Sequence, residues 1–158
     1  MELGRQPSIV AQVVRGLQPQ MDGIPPAPMG PNIVTNGDGS DGTNGWTAIG
    51  GALSNSGGRL VVSAAGLVVA GMSQSLVTTP GTTYRVAATV AKPDGILPLV
   101  QMSAGGVSVQ SALLGGDQLL TLDFTASAAS TTLAIQTTGN VLAGVTVQVA
   151  NVSARAVL

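Results

Sequence analysis

Carboxylates are the residues of this 158-residue chain best suited to chemistry, because paired carboxylates serve as general acid and base or as ligands for hard cations. A catalytic pair needs surroundings that perturb its pKa values. There are seven: Glu2, Asp22, Asp38, Asp41, Asp94, Asp117 and Asp123. Their neighbours place them in an N-terminal arm, in Gly-rich turns or at outward strand positions, where carboxylates are solvated. We therefore expect no catalytic pair.

Nucleophilic catalysis lacks its usual partners in this chain. Histidine and cysteine are absent, so no serine has an imidazole base and no thiolate chemistry is available. The single lysine, Lys92, precedes Pro93 in a predicted turn, and Gly50-Gly51 is not followed by the Lys-Ser/Thr of a phosphate loop. The sequence predicts a protein that is not an enzyme and needs no cofactor.

Asp38 and Asp41 lie in a Gly-rich loop and form a candidate for a weak cation loop. Their carboxylates are the hard oxygen ligands that Ca²⁺ prefers. The loop lacks the downstream Glu of an EF-hand, however, and Asp-Gly pairs are common turn formers. Both readings of the pair, cation loop and plain turn, stay open at this point.

The chain has three aromatic side chains: Trp46, Tyr84 and Phe124. Sugar-binding proteins often stack pyranose faces on exposed rings. Tyr84 and Phe124 alternate with polar residues in rows that read as inward-facing, and a small domain needs its few large side chains inside. We expect all three to be structural core. This disfavours sugar binding by stacking and leaves a shallow hydrogen-bonded site open.

Composition narrows the choice of partners. Only 8% of residues are charged and the net charge is −1, without a run of like charges, so we expect neither a nucleic acid nor a membrane as partner. The start of the chain does not resemble a signal peptide, and the longest apolar stretch, around Leu67 to Ala70, is too short to span a bilayer. A surface of low charge suits a soluble component of an assembly.

Short alternating runs separated by glycine turns predict an all-β fold, an antiparallel sandwich over residues 32–158. Turns are predicted at Gly57-Gly58 and Gly105-Gly106, among others. The predicted strands and inward rows are Arg59–Ala64, Thr83–Val90, Leu120–Ala126, Leu133 with Ile135, Val145 with Val147 and Val149, and a core strand around Leu67–Gly71.

Residues 1–31 contain six of the nine prolines and are predicted to form an extended N-terminal arm or linker. Helical spacing within the arm predicts a short helix at 8–17. A helix this short is marginal alone, so the segment is either a frayed terminus or a docking arm. As a docking arm, it binds its partner through Ile9, Val10, Val13, Val14 and Leu17.

Three segments carry a family resemblance. The stretch from Asn32 to Trp46 (NIVTNGDGSDGTNGW) resembles the opening N-L-x-x-N-G-D-F-S-x-G-x-x-G-W of carbohydrate-binding-module-like, galactose-binding-like jelly rolls. Residues 80–86 (PGTTYRV) are similar to their P-G-x-x-Y-x-V strand entry, and residues 150–155 (ANVSAR) to their closing D-N-V-S-V-x strand. The resemblance implies a jelly roll over residues 32–158 with Trp46 buried. Such domains occur in glycoside hydrolases, surface proteins and bacteriophage virion proteins.

Two departures from the family pattern bear on metal binding and on the core. Gly39 replaces the family's Phe, which removes one core anchor, and Ala150 replaces the closing Asp that often helps to hold a structural calcium. Without that carboxylate, a calcium site carried over from the family is weakened.

The resemblance and the missing catalytic groups together predict a structural protein of a bacteriophage virion, assembled in the host cytoplasm. Its leading form is a capsid decoration or cement protein that contacts the major capsid protein or other virion proteins through the jelly roll and the arm. We expect a homo-oligomer, in the first instance a trimer. The alternative is a glycan- or receptor-binding module of a phage tail or surface protein. An accessory domain of an enzyme is a third, minor possibility.

Overall fold

The computed structural model describes residues 25–95, 97–112 and 116–158, and these residues contain eleven β-strands and no helix. None of the described residues therefore lies in a helix able to cross a membrane. The strands are β1 (Met29–Asn32), β2 (Thr47–Ile49), β3 (Gly51–Ser56), β4 (Arg59–Ala64), β5 (Gly71–Val77), β6 (Thr83–Ala91), β7 (Val100–Ala104), β8 (Val107–Gln110), β9 (Gln118–Thr125), β10 (Ser130–Thr137) and β11 (Thr146–Val157).

The strands form two antiparallel sheets that pack face to face. The six-stranded sheet has the order β3-β4-β11-β6-β9, with β1 also paired to β11. The five-stranded sheet has the order β2-β5-β10-β7-β8. This confirms the predicted all-β jelly-roll sandwich. Because β1 begins at Met29, the last residues assigned to the arm belong to the sandwich. The predicted helix at 8–17 and its five apolar residues lie outside the described residues.

Alternation of apolar and polar residues determines which face of each strand is buried. In β6, Tyr84, Val86, Ala88 and Val90 are buried, and in β9 the inward side chains pair with them across the ladder. The core is aliphatic apart from its three rings. Tyr84 and Phe124 stack with ring centroids 5.6 Å apart.

The predicted glycine corners shape two hairpins. Gly57 and Gly58 connect β3 to β4, and Gly105 and Gly106 connect β7 to β8; all four have positive φ. A two-residue loop with both φ angles positive matches the twist of the strands that it joins. Glycine adopts this conformation without the steric cost of a Cβ atom.

The prediction of a core strand around Leu67–Gly71 is wrong. Only Gly71 belongs to a strand, as the first residue of β5, and Val68 makes a single bridge to Val141. Leu67 is 67% exposed and lines a recess of about 160 Å³ with Leu97 and Leu142. The apolar run connects β4 of one sheet to β5 of the other, and its backbone pairs only locally, with Val141 and with Thr137 at the end of β10.

A matched pair of glycines tests the tight packing of β5 against β10. A Cβ atom on Gly71 would lie 2.3 Å from the Ile135 carbonyl oxygen, whereas one on Gly66 would meet no atom within 4 Å. We expect Gly71→Ala to lower the free energy of unfolding by about 1–3 kcal/mol. Gly66→Ala is expected to leave it unchanged or raise it by up to about 1 kcal/mol. Urea unfolding of both variants measures the difference, and equal stabilities would contradict the packing described.

Candidate functional site

The outer face of the five-stranded sheet carries a row of three glutamines. Gln136 of β10 lies opposite Gln101 of β7, which lies opposite Gln110 of β8. Gln101 and Gln136 alternate with buried neighbours, and Gln110 lies between the half-buried Val109 and the buried Ser111. The three side chains therefore project from the same side of the sheet. Neighbouring strands are about 4.8 Å apart, so the row presents one amide per strand at that interval. We call Gln101, Gln110 and Gln136 the glutamine row.

A second row of small side chains runs beside the glutamine row. It crosses all five strands in the order Thr47, Ser73, Ala134, Ser103 and Ser108. Four of these five residues carry a hydroxyl that can both donate and accept a hydrogen bond. The short side chains keep the face shallow, so an extended ligand can approach the strands closely.

A cleft of about 450 Å³ opens at the β2 side of this face. It includes neither a charged nor an aromatic side chain, and most of its residues carry hydroxyl groups. Its lining consists of Thr35, Gly45, Thr47, Ser73, Gln74, Ser75 and Thr132.

Gln74 holds the wall of this cleft in place. Its side chain is buried, and its amide oxygen accepts a hydrogen bond from the Thr35 N–H at 2.8 Å. Its amide nitrogen donates to the carbonyl oxygens of Thr35 at 2.9 Å and Gly45 at 3.0 Å. One buried side chain thereby ties both ends of the loop at 35–45 to β5. Within the described residues, no buried side-chain nitrogen or oxygen atom lacks a hydrogen-bond partner.

Asn36 organises the interior of the same loop. Its amide nitrogen donates to the carbonyl oxygens of Asp41, Gly42 and Asn44, and its amide oxygen accepts from the Asp41 N–H at 2.8 Å. The Trp46 indole N–H donates to the Asn36 carbonyl at 3.2 Å. Trp46 thus joins the loop to the core.

The closing strand anchors the loop from the other sheet. Between Ala150 and Ser153 the register of β11 against β6 shifts, and Asn151 adopts a φ of 52°. This bulge frees the Val152 N–H, which donates to the Gly37 carbonyl at 2.7 Å. The opening and closing segments that carry the family resemblance are therefore in direct contact.

The candidate cation-loop residues do not form a metal cluster. Asp38 accepts hydrogen bonds from the N–H and hydroxyl of Ser40, which lower its pKa, and Asp41 accepts one from the Asn44 amide at 2.7 Å. In the described parts of the chain, no three His, Cys, Asp or Glu residues lie close enough to hold a metal ion. Both carboxylates stabilise the loop's own turns.

All three aromatic rings lie inside the sandwich. Trp46, Tyr84 and Phe124 are each less than 10% exposed. The Tyr84 hydroxyl accepts a hydrogen bond from the Thr79 N–H at 3.0 Å, which fixes the entry to β6. The described outer face consequently offers no ring for stacking.

Charged side chains of the described strands are confined to the six-stranded sheet. Arg85 and Asp123 form a two-point ion pair at 2.8 and 2.7 Å, and Arg59 pairs with Asp117 just before β9. The hydrogen bonds from these arginines lower the pKa of both aspartates. The five strands of the other sheet contain no charged residue. Elsewhere, the buried Lys92 pairs with Asp94 in the turn after β6.

The sequence did not single out the glutamine row or the cleft. Alternation assigns each glutamine to an outward position of its own strand, but the row exists only because β10, β7 and β8 are neighbours in space. The sequence did not reveal the role of Gln74 either. It occupies an inward strand position, where a polar residue interrupts the alternation of apolar and polar side chains.

Comparison with known proteins places this geometry in a fold family. No protein-family model matches the sequence, and no curated protein matches it. Among solved structures, the N-terminal cellulose-binding domain of a Cellulomonas fimi β-1,4-glucanase is 22% identical, with a TM-score of 0.60 over 81% of this chain and 99% of that one. The carbohydrate-binding module TmCBM61, solved with β-1,4-galactotriose, is 14% identical, with a TM-score of 0.55 over 78% and 97%.

A phage protein shares the fold as well. The enzymatically active domain of tailspike protein 4 from bacteriophage CBA120 is 14% identical, with a TM-score of 0.59 over 79% of this chain and 21% of that one. These likenesses show that the chain has the jelly-roll fold of carbohydrate-binding modules.

The charged face generates a prediction about acid stability. Because the pKa values of Asp117 and Asp123 are lowered in the folded state, their ion pairs stabilise it fully above the unfolded pKa of about 3.9. That contribution is lost as the pH falls through the lower folded-state pKa. We expect Asp123→Asn to cost at most about 1 kcal/mol near neutral pH and to flatten the acid limb of the stability curve.

Urea unfolding between about pH 6 and about pH 2 measures how the free energy of unfolding falls with pH. Thr121→Asn, which introduces the same side chain on the same face of β9, serves as the control and should keep the wild-type pH dependence. Identical acid limbs for Asp123→Asn and the wild type would show that the pair contributes nothing.

Proposed function

We propose that this protein is a non-catalytic glycan-binding module that recognises a neutral glycan by hydrogen bonds on the outer face of its five-stranded sheet. The observation that carries the proposal is the character of this face. It is lined by amides and hydroxyls, it has no charged side chain, and no aromatic ring is exposed on it.

Amide side chains suit sugar hydroxyls because each amide offers a carbonyl acceptor and an NH₂ donor. A sugar hydroxyl is itself both donor and acceptor, so one glutamine can bind two neighbouring hydroxyls. The interval of about 4.8 Å between strands is close to the rise per sugar of an extended β-1,4-linked chain. A glycan that crosses the strands along the glutamine row can therefore place about one sugar over each strand.

The absence of charged side chains from this face favours neutral glycans over acidic ones. A sulfated or uronic acid-containing polymer gains its affinity from arginine or lysine, and the nearest arginines of the described strands lie on the opposite sheet. The structural neighbours named for cellulose binding and solved with β-1,4-galactotriose bind neutral chains, which supports the same class here.

Hydrogen bonds without stacking give modest affinity. Each neutral bond contributes about 0.5–1.5 kcal/mol net, so about four such bonds correspond to a dissociation constant of about 1 mM. We infer that the module acts as one of several copies, where effective concentration raises the avidity. The tailspike likeness supports placing those copies on a phage tail or surface protein. A role in capsid decoration stays a prediction, as do the trimer, the docking arm and the virion location.

Substitutions in the glutamine row test the proposal. We expect Gln101→Ala and Gln136→Ala each to weaken binding of a neutral β-linked oligosaccharide by about 2–10-fold, as expected for the loss of one neutral hydrogen bond. The double variant should show no binding that titration calorimetry can detect. Since no ion takes part, the dissociation constant should not depend on salt concentration.

Gln148→Ala is the matched control, because Gln148 is half-buried on the outer side of β11 in the opposite sheet. It should leave affinity unchanged. Cello-, xylo- and β-1,4-galacto-oligosaccharides are the probes, and urea unfolding checks that each variant is folded. Equal effects of the Gln101 and Gln148 variants, or no binding of any neutral glycan to the wild-type protein, would contradict the proposal.

A further inference from the structure

The loop that forms the cleft wall contains two Asn-Gly dipeptides, Asn36-Gly37 and Asn44-Gly45. In such a pair the backbone nitrogen of glycine can attack the side-chain Cγ of asparagine, since glycine has no Cβ to shield the nitrogen. The other asparagines of the described residues precede bulkier residues. Whether each dipeptide reacts depends on how firmly the asparagine amide is held.

The side-chain amide of Asn36 is fixed by the loop around it. Its amide makes four hydrogen bonds to the loop backbone. Gly37 is buried, and a Cβ atom on it would lie 2.0 Å from the Val152 carbonyl oxygen. The Asn36 amide cannot turn towards the Gly37 nitrogen unless the whole loop opens.

Asn44 lies in different surroundings. It is exposed, and its amide makes one hydrogen bond, to the exposed Asp41 carboxylate at 2.7 Å. Gly45 is also exposed, and its N–H donates no hydrogen bond to any residue that the structure describes. The Asn44 side-chain amide is thus held by one solvent-accessible hydrogen bond, whereas four hold that of Asn36.

We propose that Asn44-Gly45 is a site of spontaneous deamidation that, as the protein ages, loosens the wall of the cleft at the β2 side of the outer face. The Gly45 nitrogen bonds to the Asn44 Cγ and loses its proton, and the side-chain nitrogen leaves as ammonia. Water then opens the resulting succinimide at either carbonyl and leaves aspartate or isoaspartate at position 44. The sum consumes one water and releases one ammonia.

The consequence for the cleft follows from the contacts of these two residues. The Asn44 carbonyl accepts a hydrogen bond from Asn36 at 3.2 Å, and the Gly45 carbonyl accepts one from Gln74 at 3.0 Å. Isoaspartate turns the first carbonyl into a carboxylate and lengthens the main chain by one carbon. Aspartate replaces the donor to Asp41 by a negative charge, so the two carboxylates repel each other. Isoaspartate loses that donor because its side-chain carbonyl carbon becomes part of the main chain.

Mass-spectrometric peptide mapping after prolonged incubation of the folded protein at mildly alkaline pH tests the site. We expect deamidated residue 44 to accumulate severalfold faster than deamidated residue 36, and this preference to disappear in urea. Asn44→Gln should remain intact because its longer side chain closes a less favourable ring. Faster reaction at Asn36, or no reaction at either position in the folded protein, would overturn the assignment.

The effect on the cleft rests on the proposed function and is measured separately. Aged wild-type protein should bind the neutral oligosaccharide severalfold more weakly than fresh protein, while Asn44→Gln should keep its starting affinity. Deamidation at residue 44 with unchanged affinity would contradict the effect on the cleft. If fresh protein does not bind the oligosaccharide, the proposed function is contradicted instead. Peptide mapping would still show whether residue 44 deamidates.

Discussion

Burial of the three aromatic rings in an otherwise aliphatic core is the constraint on which this structure depends. Tyr84 and Phe124 stack between the sheets, and Trp46 joins the opening loop to the interior through its indole N–H. The remaining core side chains are Ala, Val, Leu, Ile and Met, which bury less area each. With every ring inside, any recognition on the outer faces is left to hydrogen-bonding groups. The fold of a carbohydrate-binding module is thus combined with a surface that cannot stack a sugar.

The two outer faces differ in charge. Ion pairs between Arg85 and Asp123 and between Arg59 and Asp117 lie on the six-stranded sheet, while the strands of the five-stranded sheet contain no charged residue. The bulge in β11 connects the faces, because the Val152 N–H that it frees binds the loop whose other side forms the cleft wall. A change in the closing strand can therefore alter the cleft without contacting a ligand.

Local pattern predicted β4, β6, β9, β10 and the first part of β11, in which buried and outward residues alternate, but not β5 and β7, which alternate as well. Thr83–Val90 and Leu120–Ala126 alternate cleanly, and the paired glycines marked the hairpins between β3 and β4 and between β7 and β8. The apolar run at Leu67–Gly71 misled because hydrophobicity alone does not show whether a neighbouring strand is available for pairing. The glutamine row escaped detection because its members are distant in sequence and meet only through the strand order.

Chemical-shift mapping of the glutamine side-chain amides tests the central claim most directly. The account predicts that a neutral β-1,4-linked oligosaccharide shifts the amide signals of Gln101, Gln110 and Gln136 together, and leaves that of Gln148 in place. Shifts confined to residues of the six-stranded sheet, or no shift at any glutamine at saturating oligosaccharide, would contradict it.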